Sequence, residues 1–161
     1  MNASLYIETT IIGHLTSRPS PLLITAAIQQ TTRQWWDEHR ERYELFVSRF
    51  VVDECSAGDA EAAAERLNLI DGIPELDVTE QVFDVADALL SSVPLPKTAQ
   101  IDALHVAVAA VNGVQYLLTW NCRHLANAAL RPKIELVCRE SGYEPPTICT
   151  PQELLEVSND D

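Results

Sequence analysis

Three short apolar runs rich in β-formers punctuate this chain: Ser4-Leu5-Tyr6-Ile7, Glu44-Leu45-Phe46-Val47-Ser48 and Tyr116-Leu117-Leu118-Thr119. Each gives way within a few residues to a helix-forming stretch. Strands spaced in this way pair in parallel, because a parallel neighbour is reached only through a crossover, and crossovers lay helices over the sheet faces. The alternation therefore predicts an α/β fold: a three-layer α/β/α sandwich around a central, mostly parallel sheet of four to five strands.

The stretches between the runs carry helix signals of their own. Asp59 is a cap residue ahead of the Ala- and Glu-rich residues 60–67, which close before Gly72-Ile73-Pro74. Over residues 79–93, Val82, Ala86, Leu89, Leu90 and Val93 share one helical face while Glu80, Asp84 and Asp87 share the other, a solvated one. Residues 100–111 form another helix, whose Ala103, Ala107, Ala109 and Ala110 permit close approach to a sheet. Thr150-Pro151-Gln152-Glu153 is a capping box with Pro at the first helical position. Residues 22–43 read as one long helix or two joined ones, carrying Trp35-Trp36. Adjacent helical residues point about 100° apart, so one tryptophan can enter the core while the other serves a second surface, and a homodimer is expected.

With 161 residues, of which 47% are apolar and 22% charged, the chain suits a single domain, taken as residues 1–157 with a polar tail over 158–161. No repeat or linker divides it. The net charge of −13 argues against a DNA-coating or membrane-surface protein, though not against RNA met by a local basic rim. No apolar run approaches the roughly 18 residues of a membrane span, and residues 1–8 lack a basic leader region, so a cytoplasmic protein is expected. Cys55, Cys122, Cys138 and Cys149 form no CxxC pair, which leaves four reduced, mostly buried thiols as the reading.

Parallel α/β sheets place ligands at the carboxyl ends of their strands. Three acids stand at such ends: Glu8 after the first run, Glu54 a short helical turn after the second, and Asp102 in the first turn of the Ala-rich helix. Converging carboxylates make an oxygen-only site suited to Mg²⁺ or Mn²⁺. Singly, each is equally well a helix-start or surface acid.

In their order along the chain these residues resemble the PIN domain, and within it the VapC-type toxin ribonucleases of bacterial type II toxin–antitoxin systems. Leu5-Tyr6-Ile7-Glu8-Thr9-Thr10 resembles that family's opening strand and first acid, and Phe50-Val51-Val52-Asp53-Glu54 its second acid motif. Gln100-Ile101-Asp102-Ala103-Leu104-His105-Val106-Ala107 is similar to its most recognisable helix, and Tyr116-Leu117-Leu118-Thr119-Trp120-Asn121 to its last strand and fourth polar position. Residues 148–155 are also similar to family endings. Two positions depart from the pattern, since Glu8 and Asn121 stand where the family usually has Asp. The site then has one carboxylate fewer, so a second cation should bind weakly or not at all.

The resemblance implies an endoribonuclease in which Glu8, Glu54 and Asp102 hold a cation that activates water for in-line attack on an RNA phosphodiester. It further implies that Asn121 positions a water, with Thr119 donating a hydrogen bond nearby, and that a small antitoxin protein is a partner. The alternative is a PIN-fold module, weakened in catalysis, that binds RNA or protein. Other residues invite notice. His105 reads as a base or, more simply, a hydrogen-bonded core residue. Cys122 and His124 suggest a nucleophile pair, yet their interval lacks an evident third group. Trp35-Trp36 stacks bases or packs in a core. Lys97, Arg123, Arg131, Lys133 and Arg139 make either a phosphate-contacting rim or scattered surface charge.

Overall fold

The first apolar run becomes β1, Ala3–Ile7, and the other two become β2, Tyr43–Phe46, and β3, Tyr116–Leu118. These and all later elements come from a computed structural model, which describes residues 1–158. Residues 159–161 of the expected tail lie outside the described residues. A fourth strand, β4 (Thr147–Cys149), completes an all-parallel sheet in the order β2-β1-β3-β4. Leu5 is opposite both Leu45 and Tyr116, and Leu117 is opposite Ile148. Leu5, Tyr6, Ile7, Leu117 and Leu118 are wholly buried, as unbroken apolar strands covered on both faces must be.

Eight α-helices flank the sheet among the described residues. They are α1 (Thr9–Thr16), α2 (Leu23–His39), α3 (Arg49–Cys55), α4 (Ala60–Ile70), α5 (Glu80–Ser92), α6 (Gln100–Val111), α7 (Arg131–Glu140) and α8 (Pro151–Ser158). Helix α2 packs against α1 and α8, while α5 packs against α6 and α7. The two groups are the outer layers of an α/β/α sandwich.

Local sequence explains most of these boundaries. Asp59 accepts a hydrogen bond from Ala62 N and starts α4; Ser48 does the same for α3 through Phe50 N. The capping box of α8 closes in both directions, Thr150 N donating to Glu153 Oε1 at 3.1 Å and Glu153 N to Thr150 Oγ1 at 3.4 Å. Gly72, just beyond α4, takes a φ of 82°, which a side chain would strain. The long segment is one helix, α2, followed by a single 3₁₀ turn, Arg40–Arg42, that delivers the chain to β2. Its tryptophans split: Trp35 is fully buried, and Trp36 lies half-buried with the Arg40 guanidinium 5.1 Å from its ring centre. Helix α7 and strand β4 carry little signal, one being charge-dense and opened by a proline, the other three residues long.

No helix among the described residues is long and apolar enough to cross a membrane. The strand order has a further consequence. From β1 the chain crosses to β2 on one side, and from β3 it crosses to β4 on the other, so the connections diverge between β1 and β3. Above the carboxyl ends of two such strands the backbone leaves a crevice, which is where open parallel sheets bind ligands.

Candidate active site

Glu8 stands at that crevice because it is the residue after β1, and its side chain also caps α1. It is 3% exposed. Three donors hold its carboxylate: Thr10 N at 2.6 Å on Oε2, and Thr10 Oγ1 at 3.0 Å and Thr119 Oγ1 at 2.8 Å on Oε1. Thr119 is the residue after β3, so this acid ties the ends of the two diverging strands together. Burial pushes the Glu8 carboxyl above the ordinary carboxylate range, and nearby His105 and the three donors offset only part of that push.

Glu54 sits in the last turn of α3, with its side chain 37% exposed. Its Oε1 accepts from Thr9 Oγ1 at 2.6 Å and lies 2.7 Å from His105 Nε2. Burial pushes this carboxyl up, but the bonds from His105 and Thr9 outweigh it, and Glu54 stays ionised to lower pH than usual. Its other oxygen, Oε2, has no hydrogen-bond partner among the described residues.

Asp102 occupies the first turn of α6. Its Oδ1 accepts from Asn121 Nδ2 at 3.0 Å, and its Oδ2 lies 2.8 Å from His124 Nδ1. Asn121 is fixed in turn, its N–H donating to Thr119 Oγ1 at 2.9 Å and its Oδ1 accepting from His124 N at 3.0 Å. One hydrogen-bonded path thus runs from Glu8 through Thr119 and Asn121 to Asp102. Glu54 joins on the other side through Thr9, the neighbour of Glu8 in the chain.

All five residues singled out in the sequence, Glu8, Glu54, Asp102, Thr119 and Asn121, meet at this one edge. Thr119 donates its hydroxyl hydrogen to Glu8. Asn121 gives one of its two amide hydrogens to Asp102. The donor chemistry fits a hard cation: the acids are oxygen ligands, Glu54 keeps an oxygen unused, and none of the three is paired with Lys or Arg among the described residues. Among the described residues no group of three or more His, Cys, Asp or Glu side chains is placed to hold a metal ion. Mg²⁺ does not require one, since it keeps several waters and takes only one or two carboxylates beside substrate phosphates.

Three participants stood outside the residues assigned to the site from sequence, although His105 and His124 had drawn notice for other roles. His124 lacked a third group in the sequence because its partner, Asp102, comes from a helix earlier in the chain. His105 is a buried, hydrogen-bonded residue as its setting suggests, but one of its bonds is to Glu54. Tyr6, whose hydroxyl lies 2.6 Å from His105 Nδ1 and 2.7 Å from Ser48 Oγ, gave only the hint of a hydroxyl between the apolar Leu5 and Ile7. Two of the five basic residues considered for a rim are committed elsewhere, Arg131 to Glu153 and Arg139 to Glu144, both at 3.3 Å. Arg123, two residues beyond Asn121, is exposed. No model of a known protein family matches the chain, and no curated protein matches it.

Proposed function

We propose that this chain is a metal-dependent endoribonuclease of PIN type, the toxin of a toxin–antitoxin pair, acting on RNA phosphodiesters with Mg²⁺ or Mn²⁺. One observation carries the reading. Glu8 and Asp102, from elements far apart in sequence, share a hydrogen-bond network at the sheet's switch point, and Glu54 stands beside it on Thr9, the chain neighbour of Glu8, with no Lys or Arg neutralising the three among the described residues. Such uncompensated acids attract a divalent cation.

Glu8, Glu54 and Asp102 would hold it, and when bound the cation supplies an activated water and offsets charge developing on the phosphate. The chain's own residues set the stage. Thr10 and Thr119 fix Glu8 against rotation, and Asn121 fixes Asp102. Arg123 is the exposed cation nearest in sequence to the site and suits an approaching phosphate. A small antitoxin and a second copy of this chain are the partners that accompany this reading.

A second reading, a catalytically weakened RNA-binding or protein-interaction module, is favoured by one feature: all four oxygens of Glu8 and Asp102 already accept or meet a hydrogen-bond partner. Cleavage of single-stranded RNA separates the two. The ribonuclease cleaves in Mn²⁺ and loses cleavage both in chelator and as Asp102→Asn. Background cleavage by the wild type in Mn²⁺, with RNA still bound, supports the module instead.

A further inference from the structure

A closed ring of hydrogen bonds lies beneath Glu54. Ser48 caps the start of α3 by accepting from Phe50 N at 3.2 Å, and its Oγ meets Tyr6 OH on β1 at 2.7 Å. Tyr6 OH meets His105 Nδ1 on α6 at 2.6 Å, and His105 Nε2 meets Glu54 Oε1 at 2.7 Å, back on α3. Both ends of one short helix are therefore pinned through the same two side chains. Ser48 and Tyr6 are wholly buried and His105 is 1% exposed, so water does not substitute for the Ser48–Tyr6 or Tyr6–His105 link.

Counting protons decides the direction of the ring. Ser48 Oγ already accepts from Phe50 N, which frees its own hydrogen for Tyr6; Tyr6 then gives its single hydrogen to His105 Nδ1. Nδ1 is an acceptor in that arrangement, so Nε2 carries the hydrogen and donates it to Glu54. Every donor has an acceptor. In the reverse direction the Ser48 hydrogen has no acceptor among the described residues, and a neutral imidazole would turn the Nε2 lone pair on a carboxylate 2.7 Å away. Burial, the largest influence on Tyr6, also keeps its phenol protonated and able to donate.

We propose that Ser48, Tyr6 and His105 are positioning residues that hold the Glu54 carboxylate through the Nε2–H tautomer of His105, occupying Oε1 and leaving Oε2 for a cation. The proposal rests on the reading of Glu54 as a cation-holding residue. Outer partners that orient a carboxylate are worth about 10- to 100-fold in metal affinity elsewhere. A Gln at position 105 keeps an N–H donor at the reach of Nε2; a Leu does not.

The test has two arms. In the first, ¹⁵N spectra of the histidine-labelled wild-type chain read the His105 tautomer directly: a protonated Nε2 with an acceptor-type Nδ1 is expected, and Tyr6→Phe should shift the Nδ1 resonance. A protonated Nδ1, or an Nδ1 resonance unmoved in Tyr6→Phe, overturns the proposal whatever the function. In the second, Mn²⁺ titrations compare His105→Leu, expected to bind about tenfold more weakly, with His105→Gln, expected to recover most of that loss. Equal affinities in the two variants overturn the positioning role. A wild type that binds no Mn²⁺ refutes the metal reading alone, and the spectra still decide the tautomer.

Discussion

Glu8 carries a conflict at the residue scale, since the carboxylate that caps α1 and ties the end of β1 to that of β3 is buried where its charge is penalised. Its raised pKa means that the folded chain holds the Glu8 proton to higher pH than the unfolded chain does. Stability from this group therefore falls as pH rises from the ordinary carboxylate range through the raised value, and it stays reduced above. Glu8→Gln keeps an acceptor oxygen for the Thr10 and Thr119 hydroxyls and removes the buried charge, a gain that outweighs the lost acceptor of Thr10 N. In chelator at neutral pH it should melt at higher temperature than wild type, with a flatter dependence of Tm on pH. A lower Tm at neutral pH would contradict this. Asn121 poses the opposite case, a neutral group serving one acid as donor. Asn121→Asp sets two carboxylates against each other, so its Tm should drop in chelator, yet Mn²⁺ should raise it by more than in wild type because the added acid tightens the cation. Equal Mn²⁺-induced shifts would remove Asn121 from the site. Glu8 was readable as an acid standing where a strand gives way to a helix, whereas Glu54, in the last turn of α3, and Asp102, in the first turn of α6, were singled out by their order along the chain. The ring through Tyr6, Ser48 and His105 was not readable, since it depends on which way α3 and α6 turn their faces toward β1.

At the scale of elements, local rules suffice where a cap or a periodicity decides and fail where only tertiary pairing does. The helices α4, α5, α6 and α8 follow from Asp59, the apolar stripe through Val82 and Leu89, the Ala-rich run, and the Thr150–Glu153 box. Strand β4 does not, because its three residues are made a strand by hydrogen bonding to β3 rather than by any pattern of their own. The box offers a clean measurement. Thr150→Ala removes the acceptor of Glu153 N, and urea denaturation should show a loss of about 1 kcal/mol with unchanged slope. A loss below a few tenths would mean that burial of Leu154 and Leu155 alone sets the position of α8.

For the whole molecule, the all-parallel order β2-β1-β3-β4 turns a scattered set of polar residues into a site, since it brings the ends of β1 and β3 side by side. The same burial that builds the core silences three of four thiols. Desolvation pushes Cys55 and Cys138 up to about 11 and Cys149 to about 12, while Cys122 is exposed beside Asn121. A thiol reagent at pH 8 should label one cysteine rapidly in the native chain and all four in denaturant. Rapid labelling of two or more would show a core looser than described. Calorimetric titration with Mn²⁺ tests, without an RNA substrate, the proposal that Glu8, Glu54 and Asp102 together hold a hard cation at the switch point. A saturable heat with a single site is expected in the wild type, abolished in Asp102→Asn. No saturable heat in the wild type, or an undiminished one in Asp102→Asn, would contradict the proposal.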